Sequence, residues 1–168
     1  MSSYFDGKPE ICAWIRKYFP RSAEILDVGA CDGLWRRLLP EYANMDAVEA
    51  WRPNYELLRG DGYRRVFPDD VRAFSFEYYD LVILGDILEH LTVGEAQAVL
   101  EYAAPRCRDL IVAVPFEYEQ GAIYGNPYEV HVQDDLTPEL VKQRYPQLEE
   151  LLRARKDYCY YHLRSETT

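Results

Sequence analysis

Glu24-Ile25-Leu26-Asp27-Val28-Gly29-Ala30-Cys31-Asp32-Gly33-Leu34-Trp35 reads as a strand that turns directly into a helix. An apolar run meets an acid at Asp27, and the chain then turns through Gly29 and Gly33. Glycines at such a turn let backbone approach a ligand closely, and the following helix offers free N–H groups at its N-terminus. The ligand therefore belongs at the carboxyl end of this strand. A dinucleotide fingerprint, Gly-x-Gly-x-x-Gly, needs further glycines two and five residues after the first, so that backbone can reach a pyrophosphate. Counted from Gly29 those positions hold Cys31 and Leu34, so two of the three glycines are missing. A ligand without phosphate needs no such wrap, and Asp27 before the turn is compatible with an ammonium group on it.

The same rhythm continues downstream. After a helical stretch from Leu34 to about Tyr42, residues 45–50 form a second strand ending in the acid Glu49. Glu49 lies twenty residues after Gly29, the spacing at which an acid accepts hydrogen bonds from ribose hydroxyls. Ala50 and Trp51 follow; the indole is placed either against an adenine ring or in the core at a helix start. Arg64-Arg65-Val66-Phe67 makes a short third strand, followed by Asp69-Asp70-Val71. The fourth strand, residues 79–86, is a continuous apolar run suited to burial on both faces, and Ile87-Leu88-Glu89-His90-Leu91 follows it. Residues 108–115 give a fifth strand closing in Val114-Pro115. Five strands alternating with helical segments imply βα units in an α/β, doubly wound, mostly parallel sheet, with ligands at the carboxyl strand ends.

Asp27, Gly29 and Gly33 resemble the first motif of class I S-adenosylmethionine (SAM)-dependent methyltransferases, Asp-x-Gly-x-Gly-x-Gly, with Cys31 where the middle glycine usually sits. Asp86-x-Leu88-Glu89-His90-Leu91 resembles the fourth motif of many small-molecule methyltransferases, the quinone-type O-methyltransferases among them. The resemblance covers residues 22–140 well and the rest loosely. It implies a Rossmann-like methyltransferase fold with SAM as cofactor. The turn at Asp27, Gly29, Ala30 and Gly33 would hold the methionine part, Glu49 the ribose, and Asp70 the adenine, with Ala50, Trp51 and Val71 in the same cofactor set. Asp86 completes the implied cofactor set. An adjacent acid pair such as Asp69-Asp70 also reads as a solvated turn.

Composition bounds the rest. The chain has 168 residues, without repeat, low-complexity tract or composition shift, which suits a single domain over 1–168. No apolar run approaches the ~18 residues of a membrane span, and the N-terminus lacks a signal-peptide pattern. Four cysteines stand far apart without a Cys-x-x-Cys, consistent with reduced thiols and a cytoplasmic location. A formal net charge of −10 argues against nucleic acid as partner, because binding there depends on neutralising phosphates. Monomer and homodimer both remain open.

Towards the ends the pattern thins. A helix around residues 10–18 presents Ile11, Trp14, Ile15 and Tyr18 on one face and leaves little material for an N-terminal lid. Thr137 and Pro138 mark a helix start, with the helix open to interruption at Pro146 and running on to about Arg155. One strand then remains, so the expected sheet has six strands, with the C-terminal part truncated. Between the fifth strand and that helix, residues 116–131 are rich in tyrosine and carry a turn at Gly125-Asn126-Pro127. This segment is the expected acceptor-binding cover, although any one tyrosine reads equally well as hairpin packing.

Methyl transfer is an in-line displacement governed by alignment of nucleophile, methyl and sulfur. An oxygen acceptor usually needs its proton removed, and histidine suits that near neutral pH. His131, His90 and Glu89 are the catalytic candidates, with His162 less favoured. A metal site from Glu89, His90, Glu129 and His131 is conceivable, but the spacing is not specific and no metal is assigned. The expected function is methylation of a small-molecule acceptor at oxygen. The alternative is a non-catalytic SAM-fold module that binds a partner protein.

Overall fold

The structure, a computed structural model, describes residues 5–164. Seven strands, β1 (Ile25–Val28), β2 (Met45–Val48), β3 (Val66–Phe67), β4 (Tyr79–Gly85), β5 (Cys107–Pro115), β6 (Glu149–Arg155) and β7 (Tyr158–Arg164), form one sheet in the order β3-β2-β1-β4-β5-β7-β6. Strands β1 to β5 pair in parallel, and β7 inserts antiparallel between β5 and β6. The helices are α1 (Lys8–Tyr18), α2 (Leu34–Leu38), α3 (Tyr55–Gly60), α4 (Val93–Ala103) and α5 (Pro138–Arg144). Among the described residues no helix is long and apolar enough to cross a membrane.

The central strands read as unbroken apolar runs because both faces of the sheet are covered. On one face Leu26, Val82, Leu84, Leu110 and Val112 pack with Ala96, Val99 and Leu100 of α4 and Val141 of α5. On the other, Ile25, Ile83 and Ile111 pack with Ile11 and Ile15 of α1, Trp35 of α2 and Leu58 of α3. Burying each such leucine or isoleucine stabilises the fold by about 1.5–3 kcal/mol. Helix starts follow local chemistry. Thr92 and Glu95 form a reciprocal capping box on α4, and Thr137 accepts from the Leu140 N–H ahead of Pro138 on α5.

Four expectations need correction. The sheet has seven strands, not six, and its C-terminal part is not truncated. The supposed continuation of the last helix is β6. Pro146 bars its predecessor from helical backbone, so Tyr145 ends α5 at φ −134°, ψ 62°. Glu149–Arg155 has helix-forming residues, but pairing with β7 and packing of Leu151, Leu152 and Ala154 against the second core outweigh propensity. Irregular register at Glu150/Leu152 and Arg153/Arg155 erases the alternation that would have marked a strand. Helix α2 stops at Leu38, well before Tyr42, because Pro40 disfavours helical backbone at Leu39. In α1, Lys8, Ile11, Cys12 and Ile15 are buried while Tyr18 is exposed.

Candidate active site

The carboxyl ends of β1, β2, β4 and β5 open onto a cavity of about 370 Å³. Its first wall is the β1–α2 turn. Gly29, at φ 68°, and Ala30 both donate to the Val48 carbonyl, at 2.8 and 3.3 Å. A side chain at Gly29 would collide with Ile87, which packs across the turn. Cys31 sits at φ 51°, in the left-handed region that favours glycine. The Glu49 carboxylate spans this turn and its own strand end. Its Oε2 accepts from the Cys31 N–H at 2.8 Å and its Oε1 from the Trp51 N–H at 2.6 Å. Burial raises the Glu49 pKa, partly opposed by these backbone donors. Further along, Asp70 faces the cavity but is held by the Arg72 guanidinium at 2.9 and 2.5 Å, which lowers its pKa.

The wall after β4 has different chemistry. Asp86 leaves β4 at φ 56° and its Oδ1 accepts from the Tyr158 hydroxyl of β7 at 2.6 Å. Glu89, 1% exposed, lines the cavity, and neither carboxylate oxygen has a hydrogen-bond partner. Burial, with Asp86 adding like charge, pushes its pKa well above the ordinary range. The rings of His90 and His131 meet edge to face with centroids 4.8 Å apart. Nδ1 of His90 bonds the Val130 carbonyl at 3.1 Å, and Nδ1 of His131 the Tyr118 carbonyl at 2.6 Å. A carbonyl only accepts, so each Nδ1 carries a proton and each ring turns its Nε2 edge away from that carbonyl. Burial lowers the His90 pKa to about 4, so this ring is neutral at pH 7.

Of the residues singled out from sequence, Gly29, Ala30, Glu49, Ala50, Asp70, Val71, Asp86, Glu89, His90 and His131 line this one cavity. Asp27, Gly33 and Trp51 do not. Asp27 is buried beneath the turn and accepts from the Tyr63 hydroxyl at 2.5 Å; burial raises its pKa to about 7. Gly33, at φ 78°, is the N-cap of α2, packed on Asp61. Trp51 is half-buried at a short 3-10 turn. His162 lies elsewhere, bonded to Asp109 at 2.8 Å and packed on Trp14. The segment 116–131 contributes Tyr118, Gln120 and residues 126–131 to the cavity wall. Sequence reading missed Lys8, fully buried with Nζ 4.5 Å from the centroid of the Trp35 ring. A single lysine in a first helical turn carries no signal before the fold is known.

Sheet order, the glycine turn after β1 and a cavity across the strand ends define the fold of class I SAM-dependent methyltransferases. No protein-family model matches the sequence and no curated protein matches it. Solved structures do match, at 14–16% identity. DhpI in complex with SAH is similar over 96% of this chain and 85% of its own, with 14% identity and a TM-score of 0.74. The SAH-bound N-terminal domain of EvdMO1 matches over 98% of this chain and 83% of its own, with 16% identity and a TM-score of 0.69. Magnesium protoporphyrin IX methyltransferase from Synechocystis PCC 6803, with bound SAM, matches over 92% of this chain and 76% of its own, with 14% identity and a TM-score of 0.66.

Proposed function

We propose that this chain is a SAM-dependent methyltransferase that methylates a small-molecule acceptor at oxygen. The observation that carries this reading is one cavity lined by two chemically distinct groups. One is the Gly29–Cys31 backbone with Glu49; the other is Glu89, His90 and His131. Similar structures hold SAM or SAH, and one of them is a methyltransferase of a porphyrin.

In this reading the backbone at Gly29 and Ala30 lies along the methionine part of SAM. Glu49 keeps lone pairs for the ribose hydroxyls beyond its two backbone donors, and Asp70 accepts from the adenine amino group. Segment 116–131 covers the acceptor. His131 or His90, whose Nδ1 atoms are held by backbone carbonyls, takes up the acceptor's proton as the oxygen attacks the methyl carbon and sulfur leaves. The protein works as one domain, monomer or homodimer, on a cytoplasmic metabolite.

Calorimetric titration with S-adenosylhomocysteine, followed by a labelled-SAM screen of hydroxylated metabolites, tests the proposal. Binding with turnover of at least one acceptor is expected. Absence of cofactor binding by a folded protein overturns it. Binding with no turnover on any acceptor class favours the partner-binding module.

A further inference from the structure

Glu89 presents an unusual situation for a buried acid. Its carboxylate is 1% exposed and without a hydrogen-bond partner, and a charged group left so is costly. Two histidines lie near it, with Asp86 and Glu129 as charged neighbours. One ligand atom from each of Glu89, His90 and His131 lies within 4.8 Å of the others. Nδ1 of each ring is tied to a backbone carbonyl, the outer-shell arrangement that orients imidazoles towards a metal. Glu129, which the sequence also grouped here, is instead bonded by Gln120 at 3.2 Å and Asn126 at 3.5 Å.

We propose that Glu89, His90 and His131 bind one divalent transition-metal cation, whose open coordination positions receive the acceptor oxygen. Two imidazole nitrogens and one carboxylate oxygen suit Zn²⁺ or another first-row ion rather than Mg²⁺ or Ca²⁺, which prefer all-oxygen shells. A tetrahedral ion with bonds of about 2.1 Å needs ligand atoms about 3.4 Å apart. Three protein ligands would leave at least one position open, and all three residues line the cavity. The cation would neutralise Glu89 and lower the pKa of a bound hydroxyl, so the acceptor proton leaves to solvent while its oxygen attacks the methyl group. The histidines then act as ligands instead of proton acceptors. The cation's role rests on the methyl-transfer reading; its binding does not.

The test titrates Zn²⁺ and Co²⁺ into chelator-treated protein, with Mg²⁺ as control. One equivalent of Zn²⁺ or Co²⁺ should bind, with Co²⁺ gaining visible absorption bands, and Mg²⁺ should not compete. Glu89→Gln, His90→Ala and His131→Ala should each weaken binding by at least ~100-fold. S-adenosylhomocysteine binding by the same samples shows that the variants are folded. No saturable binding of Zn²⁺ or Co²⁺, or affinity unchanged in all three variants, overturns the site. S-adenosylhomocysteine binding without metal binding would leave the methyltransferase reading standing and end this one. Metal binding without S-adenosylhomocysteine binding would do the reverse.

Discussion

Glu49 and Glu89 are both buried carboxylates on the wall of one cavity, yet their surroundings are opposite. Glu49 accepts two backbone N–H bonds and thereby fixes the β1–α2 turn against the end of β2. Glu89 accepts none and faces two histidines. A satisfied buried acid builds structure, whereas an unsatisfied one is held in readiness for something that arrives. The contrast divides the cavity lining into a scaffold group and a reactive group.

The sharpest way to break that division is at His131. His131→Ala should reduce turnover by roughly 10²-fold or more while leaving S-adenosylhomocysteine affinity nearly unchanged, measured by steady-state kinetics and calorimetry. Equal loss of both would place His131 in the scaffold group. Glu49→Ala should do the opposite, weakening S-adenosylhomocysteine by ~1.4 kcal/mol or more, about tenfold. Calorimetry with unchanged affinity in a folded variant would remove Glu49 from the cofactor site.

Stability against pH sharpens the contrast further. The pKa of Glu89 is raised in the folded state, so its favourable contribution is complete below the ordinary glutamate pKa of ~4.3 and is lost as pH rises. Chelator-treated Glu89→Gln should therefore gain stability over the parent progressively above that pH, read as a widening Tm difference between pH 4 and 8. A constant difference across that range would mean that the carboxylate already has a partner. Smallest is Cys31→Gly, which relieves a left-handed non-glycine residue and should add about 1 kcal/mol, or ~2–4 °C in Tm. A lower Tm would show that the thiol packs usefully at the turn.

Much of this was legible in the chain, and the gaps have physical causes. The five parallel strands were visible because burial on both faces makes each one a plain apolar run. Glu49, Asp86 and Glu89 stood out because each sits at or just beyond the carboxyl end of such a strand. The placement of Asp27 was not legible, because a motif position does not say to which face of a strand a side chain turns; its carboxylate accepts from Tyr63 and does not line the cavity. Strand β6 was missed because two register shifts broke its alternation and its residues favour helix. His131 and His90 were grouped from sequence, but their edge-to-face contact was not readable, since a long loop separates them in the chain. Thr137 and Pro138 were readable because an N-cap is decided by a few adjacent residues.

The Tyr158 hydroxyl that holds Asp86 comes from the far end of the chain, 72 residues away in sequence. Contacts of such separation carry a loop-closure cost and form late in folding. The reactive group is thus completed only once the antiparallel hairpin of β6 and β7 has docked against β5. Any opening of that hairpin releases Asp86, at its left-handed bend beside Glu89. Amide exchange in β7 should then set a ceiling on the lifetime of the competent site, making a remote sheet edge its timekeeper.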